Sequence, residues 1–168
     1  MAQLDSASLV PGIRSAADSM TTAFRNKDFT TFAHYNNSRL LDLLGGEANF
    51  AAFMEKQMET LKDVNFREMK PGKIIRVLSY EGTYQCIIEQ QSELEMAGQV
   101  VSSISHLVGL SVDNGKSWRF ADGNNGTKED FKSILPELSP ALIIPKKKQE
   151  MGKNLEELLK DYKTEYQP

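Results

Sequence analysis

The residues with the most chemistry to offer are the two histidines, the single cysteine and a few polar side chains set into apolar strand patterns. By period-two alternation, His106 shares one side of its strand with Val100, Ser102, Ile104, Val108 and Leu110. An imidazole titrates near neutrality and can act as a general base. On an apolar side, a lone histidine is more often a hydrogen-bonded core residue. On the preceding strand, Tyr84, Cys86, Ile88, Gln90, Ser92, Leu94 and Met96 share a side. If these two sides line one cavity, continued by Trp118 and Phe120, its polar insertions are Gln90, Ser92, Ser102 and His106. A few polar groups in an apolar concavity are what a small-molecule pocket needs. His34 and Tyr35 close a predicted helix within reach of the mouth, and exposed helix-end roles explain them equally well. The expected ligand-binding set is Tyr35, Tyr84, Gln90, Ser92, Ser102, His106 and Trp118, with His106 the one candidate for catalysis.

Other chemistries find less support. Cys86 sits inside an apolar strand pattern, where a free cysteine behaves as a small hydrophobe, and a catalytic thiol needs a base beside it. Two histidines and one cysteine, widely separated, show no zinc-type ligand spacing, so neither a metal nor a cofactor is expected. The string Ser111-Val112-Asp113-Asn114-Gly115-Lys116-Ser117-Trp118 is read as a turn. Asp113 accepts turn amides, Gly115 tolerates positive φ and Trp118 packs beneath.

Positioning falls to elements legible in the hydrophobic pattern. Ile13, Ala16, Ala17, Met20 and Phe24 predict an amphipathic helix over about residues 10 to 26, with Pro11 in its first turn. Asp28 is placed to cap a second helix carrying Phe29, Phe32 and Ala33. After Gly45-Gly46, a third helix is predicted to bury a stripe of Phe50, Phe53, Met54, Gln57, Met58 and Leu61. The period then changes to two. Strands are predicted at 64–69 and 74–79, interrupted by Pro71-Gly72, and at 83–96, 99–111 and 116–121. Tight turns at Glu81-Gly82, Ala97-Gly98 and Asn114-Gly115 make an antiparallel meander. On the strand at 83–96, the side with Gln85, Ile87, Glu89, Gln91, Glu93 and Glu95 reads as solvent or an interface. Asp122 is expected to serve the turn Gly123-Asn124-Asn125-Gly126. Thr127 to Asp130 reads as a capping-box-like start of a short helix to about Leu135. Pro136, Pro140 and Pro145 punctuate a connector, and Lys147 to Tyr166 reads as an amphipathic helix.

Three features carry a family resemblance: Phe24-Arg25-Asn26-Lys27-Asp28-Phe29 between the first two helices, Leu44-Gly45-Gly46 before the third, and long hairpins ending in Trp118-Arg119-Phe120-Ala121-Asp122. Over about Ile13 to Asp122 the chain resembles the nuclear transport factor 2-like superfamily, related to the cystatin-like folds and including many uncharacterised bacterial proteins. The resemblance implies an α+β fold with N-terminal helices packed in the concave face of a bent, four-stranded antiparallel meander, a cone, followed by a C-terminal helical tail. The cone domain would span 10–135, and the connector and tail helix 136–168. The ketosteroid-isomerase-like members use a carboxylate base, and no carboxylate lies on the side proposed to face inward, so that mechanism does not transfer. The Ser111 to Trp118 string also resembles the Asp box of sialidase-type propellers, but a single copy builds no propeller.

The chain has 168 residues, 40% hydrophobic and 26% charged, with a net charge of −3. That length suits one domain, and the acidic balance argues against a nucleic-acid partner. The basic run Lys146-Lys147-Lys148 reads as a solvated face, since Glu150, Glu156 and Glu157 follow. No apolar run approaches the ~20 residues a membrane span needs. The expected location is periplasmic or secreted if a signal peptide has been removed, and otherwise cytoplasmic. A homodimer is expected, with Ile87, Val101 and Leu107 as apolar points on the outer side. The expected function is a non-enzymatic small-molecule-binding or interaction protein with a cone-shaped pocket for a small apolar ligand. The alternative is an isomerase or hydratase-type enzyme using His106.

Overall fold

The computed structural model describes residues 5–124 and 128–161. Helix α1 (Ser6–Arg25) buries Leu9, Ile13, Ala17 and Met20 at helical spacing. It begins earlier than its periodicity suggests, so Pro11 lies inside it, on an exposed stretch. Helix α2 (Phe29–His34) is capped as expected, Asp28 accepting from the Thr31 amide at 3.2 Å and the Thr31 hydroxyl at 2.6 Å. A short helix not foreseen from the pattern, α3 (Ser38–Leu43), follows at once. The buried Asn37 caps it, accepting from the Arg39 amide at 2.9 Å, and donates its own N–H to the Phe120 carbonyl at 2.8 Å. Helix α4 (Glu47–Thr60) has no fully buried residue: Phe50, Met54 and Met58 are half-buried and Phe53 is 52% exposed.

The sheet is antiparallel, in the order β1 (Asn65–Tyr80), β2 (Thr83–Met96), β3 (Gln99–Ser111), β4 (Arg119–Asp122). Strand β1 runs through Pro71-Gly72 instead of stopping there. Pro71 stays opposite Gln90 and a register irregularity between Pro71 and Ile74 follows it, a place where an edge strand tolerates proline. Both long hairpins turn on two residues of positive φ, Glu81 (47°) with Gly82 (81°) and Ala97 (52°) with Gly98 (78°), the primed turn that matches strand twist. The last strand starts at Arg119 rather than Lys116, because the amides before it bind side chains rather than a ladder.

The C-terminal part departs furthest from the pattern. Helix α5 (Lys128–Ile134) forms, while its expected cap, Thr127, lies outside the described residues. Where a long helix was expected from Lys147, the chain forms a fifth strand, β5 (Lys148–Met151), antiparallel to β3 from Val101 to Ile104. Gly152, at φ 81°, ends it, donating its N–H to the Val100 carbonyl at 2.8 Å. Helix α6 (Leu155–Asp161) then buries Leu155 and Leu158. Asn154 accepts from the Glu157 amide at 2.8 Å at its start. Tyr162 and Tyr166 lie outside the described residues.

Both faces of the sheet are covered. On the α1 face, Leu9, Ile13, Ala17 and Met20 pack with Cys86, Ile88, Leu107, Trp118 and Phe120. Gly109 lies within this layer, where a Cβ would stand 2.6 Å from the Cys86 sulfur and 2.9 Å from the Phe120 ring. On the second face, Ile75, Ile87, Val108 and Ala121 pack with Phe131, Leu135 and Leu142. The side of β2 that reads as solvent from sequence is therefore an internal interface, closed by α5 and the connector. No helix among the described residues is long and apolar enough to cross a membrane.

Candidate functional site

The register of β2 and β3 decides which polar residues meet. Cross-strand partners are Gln90 with Ser105, Ser92 with Ser103, Glu89 with His106 and Glu93 with Ser102. Directly opposed residues point to the same face, so the expected polar set divides. Gln90 and Ser92 lie on the α1 face, and Ser102 and His106 on the second. Tyr84 and Tyr35 are half-buried against the α1-face cluster, and Trp118 is buried inside it. Tyr35, Tyr84, Gln90, Ser92 and Trp118 thus share a face, and Ser102 and His106 do not join them. The single cavity containing Gln90, Ser92, Ser102 and His106 is corrected accordingly.

His106 is fully buried, with 0% exposure. It sits where the outer edge of β3 passes between two partners, since β4 pairs residues 107–110 and β5 pairs 101–104. Asn124 fills the gap. Its Oδ1 accepts the His106 backbone N–H at 2.7 Å and faces His106 Nδ1 at 3.0 Å. An oxygen that accepts the backbone amide accepts from the ring as well, so Nδ1 carries the proton and Nε2 the lone pair. Asn124 Nδ2 donates to the Pro145 carbonyl at 2.9 Å, and the Gly123 amide to the His106 carbonyl at 2.8 Å. Burial holds the imidazole pKa below its ordinary value, opposed in part by the Asn124 hydrogen bond and by the charges of Glu89 and Asp122. Nε2 is buried without a partner among the described residues. This histidine clasps the chain together, with its side chain enclosed.

Two further polar side chains of the second face hold the C-terminal segment. Gln85, fully buried, donates to the Glu137 carbonyl at 3.0 Å and accepts from the Ser139 amide at 2.8 Å. Glu93 accepts from the Leu155 amide at 2.7 Å, at the start of α6. Sequence reasoning did not single out Gln85, Glu93 or Asn124. Ile87, Val101 and Leu107, read as apolar points for self-association, are all buried within the chain.

The α1 face is fully buried at one end and half-buried at the other. Around Cys86, Ile88, Leu107 and Phe120 it is fully buried under α1. Toward the Ala97-Gly98 turn, Phe66, Met69, Gln90, Ser92, Leu94, Ser103 and Ser105 are only half-buried. Ser92 and Ser103 share a 2.6 Å hydroxyl hydrogen bond, and Ser105 donates to the Gln90 carbonyl at 3.5 Å. The Thr21 hydroxyl, at the end of α1, donates to the Ala17 carbonyl at 2.8 Å and stands 3.4 Å from Gln90 Oε1. Gln90 Nε2 is buried and meets no acceptor among the described residues. One turn further along α1, the Phe24 ring meets Phe66 edge-on with centroids 5.6 Å apart.

A separate open trough of about 560 Å³ lies between the start of α2 and α4, lined by Lys27, Asp28, Phe29, Glu47, Ala51 and Glu55 among others. None of the expected site residues lines it. Asp28 is spent on its cap, and Glu47 on Arg119 at 3.3 Å and His34 at 3.5 Å. Its mixed charges are ordinary surface chemistry, so the Gln90 surface is the better candidate. The Cys86 thiol is pushed up to about 12 by burial, which removes it as a nucleophile. Among the described residues no three His, Cys, Asp or Glu side chains cluster closely enough to hold a metal ion.

The Ser111 to Trp118 loop is self-contained. Asp113 accepts from the Ser117 amide at 2.9 Å, the Ser117 hydroxyl at 2.6 Å and the Ser111 hydroxyl at 2.9 Å. Those bonds hold its carboxyl down to about 2. Ser111 Oγ accepts from the Gly115 amide at 2.8 Å. Gly115 has φ 84°, and a Cβ there would lie 2.5 Å from Leu9, so the loop is pressed against α1. Comparison with protein-family models, curated proteins and solved structures found no match to this chain.

Proposed function

We propose that the protein binds a small molecule on the half-open part of the α1 face, between the last turn of α1 and the Ala97-Gly98 end of the sheet, without catalysing a reaction on it. The observation that carries this reading is Gln90, whose amide nitrogen is buried without an acceptor among the described residues, in a surface otherwise apolar or hydroxylic. A buried donor left unmade costs about 1–3 kcal/mol, and a ligand acceptor seated there would recover it. The resemblance to the nuclear transport factor 2-like superfamily supports the same placement, because its cone would open on this face. On this face β2 and β3 offer no carboxylate or imidazole, so neither strand would present a general base to a ligand there. The isomerase or hydratase alternative depended on His106, which lies on the other face. A homodimer keeps only the support of the resemblance, since the apolar points proposed for it are buried.

The test is amide NMR of the full chain titrated with a neutral fragment library. Shifts are expected at the Gln90 side-chain amide and at the backbone amides of Ser92, Ser103 and Ser105. Shifts confined to the trough between α2 and α4, or none at all, would overturn the reading.

A further inference from the structure

Resting on that placement, we infer that the ligand is uncharged: an apolar body carrying a carbonyl-type hydrogen-bond acceptor that meets Gln90. The first support is a segregation of charge across the sheet. The carboxylates of β2, Glu89, Glu93 and Glu95, stand on the second face, opposite His106, Ser102 and Val100. Arg67 of β1 is drawn toward the same side, to Glu93 at 3.7 Å and Glu95 at 3.5 Å. On the α1 face, the β2 side chains from Tyr84 to Leu94 and the β3 side chains from Val101 to Ser111 carry no formal charge. The half-buried residues of α4 are Phe50, Ala51, Met54 and Met58, also uncharged. A carboxylate, phosphate or ammonium group seated there would lose hydration and gain no counter-charge, which is prohibitive in a partly dry site.

The hydrogen-bond inventory gives the second support. Ser92 and Ser103 have two hydroxyl protons and spend one on each other. Gln90 contributes an amide nitrogen with no acceptor among the described residues. Among those residues it is the buried donor left unmet at this surface, so the complementary ligand group is an acceptor. The flanking surface supplies the rest. Phe66 and Leu94 lie opposite one another on β1 and β2. A relay of rings then runs from Phe66 to Phe24 at 5.6 Å, to Phe32 at 5.4 Å and to Phe50 at 6.0 Å. Rings at these spacings pack on one another and make this flank apolar.

Fluorescence titration of the full chain with the neutral naphthyl ketone Prodan, against the anionic anilinonaphthalene sulfonate, tests the inference. Saturable Prodan binding is expected, with the sulfonate binding at least about tenfold more weakly. Gln90→Leu should weaken Prodan by about tenfold, the equivalent of one lost hydrogen bond. It should also shift the bound emission to the blue, because the ketone loses its donor. Ser103→Val gives the same readout should Gln90→Leu fail to fold. Sulfonate binding as tight as Prodan and equally sensitive to Gln90 would overturn the uncharged class and leave the site standing. Absence of binding by either probe, or binding indifferent to both substitutions, would overturn the inference. The amide-shift map separately decides whether the site falls with it.

Discussion

The side-chain oxygen of Asn124 accepts from His106 twice, at the backbone N–H (2.7 Å) and at ring Nδ1 (3.0 Å), while its nitrogen donates to Pro145 (2.9 Å). One amide thus closes the gap between β4 and β5 on the edge of β3 and ties the connector to it. Asn124→Ala leaves two donors of His106 without their acceptor and frees Pro145. It is expected to cost about 2–4 kcal/mol, read as a fall in the urea midpoint with little change in slope. A cost near zero would mean that the clasp does not hold the connector.

Acid should weaken the fold through the same residue. Burial lowers the His106 pKa in the folded state, so the unfolded chain takes up a proton first. The stabilisation is complete above the unfolded value, about 6.5, and is lost progressively as pH falls below it toward the folded value. Unfolding midpoints measured between pH 7.5 and 5.5 should decline, and His106→Gln should flatten that decline. An unchanged slope in the variant would place the titration elsewhere.

Asp113 works in the opposite range. Its carboxyl is lowered to about 2 by the Ser117 and Ser111 bonds. That contribution is present above the unfolded carboxylate value, about 3.9, and is lost as pH falls through about 2. The difference in stability between the parent and Asp113→Asn should therefore shrink between these pH values. A difference that stays constant down to pH 2 would mean that the Asp113 charge adds nothing to the turn.

Trp118→Ala should cost more than any change at Asp113, about 3–5 kcal/mol for a fully packed indole. The ring is 2% exposed within the α1-face core. Denaturant curves of the two single variants check the order, and a larger loss at Asp113 would reverse the assignment of the loop to register rather than packing.

The Cys86 thiol should be inert. With its pKa pushed up to about 12, labelling by Ellman's reagent at pH 8 is expected to be at least about a hundredfold slower in the native chain than in urea. Rapid native labelling would show that the α1-face core opens locally at Cys86.

The sequence by itself determined much of the local structure, because local structure rests on short-range chemistry. The α1 stripe, the Asp28 cap, the Glu81-Gly82 and Ala97-Gly98 turns and the closure of the Asp113 loop depend on residues a few positions apart. The division of the polar set was also within reach. A two-residue turn at Ala97-Gly98 places Met96 opposite Gln99, which sets each even-numbered residue of β2 against an odd-numbered one of β3. Gln90 then faces Ser105 rather than Ser102 or His106. Matching the more apolar side of one strand to that of the next overrode this arithmetic, and it failed because both faces are buried, so alternation lost its usual meaning. Only the tertiary structure decided what covers the second face. The periodicity at Lys148–Met151 suited a helix, yet the free edge of β3 took that segment as a strand, and Gln85, Asn124 and Glu93 fixed its connector and α6 through partners 21 to 62 positions away. Contacts at that separation are set by the closing of the chain on itself, which no local pattern records.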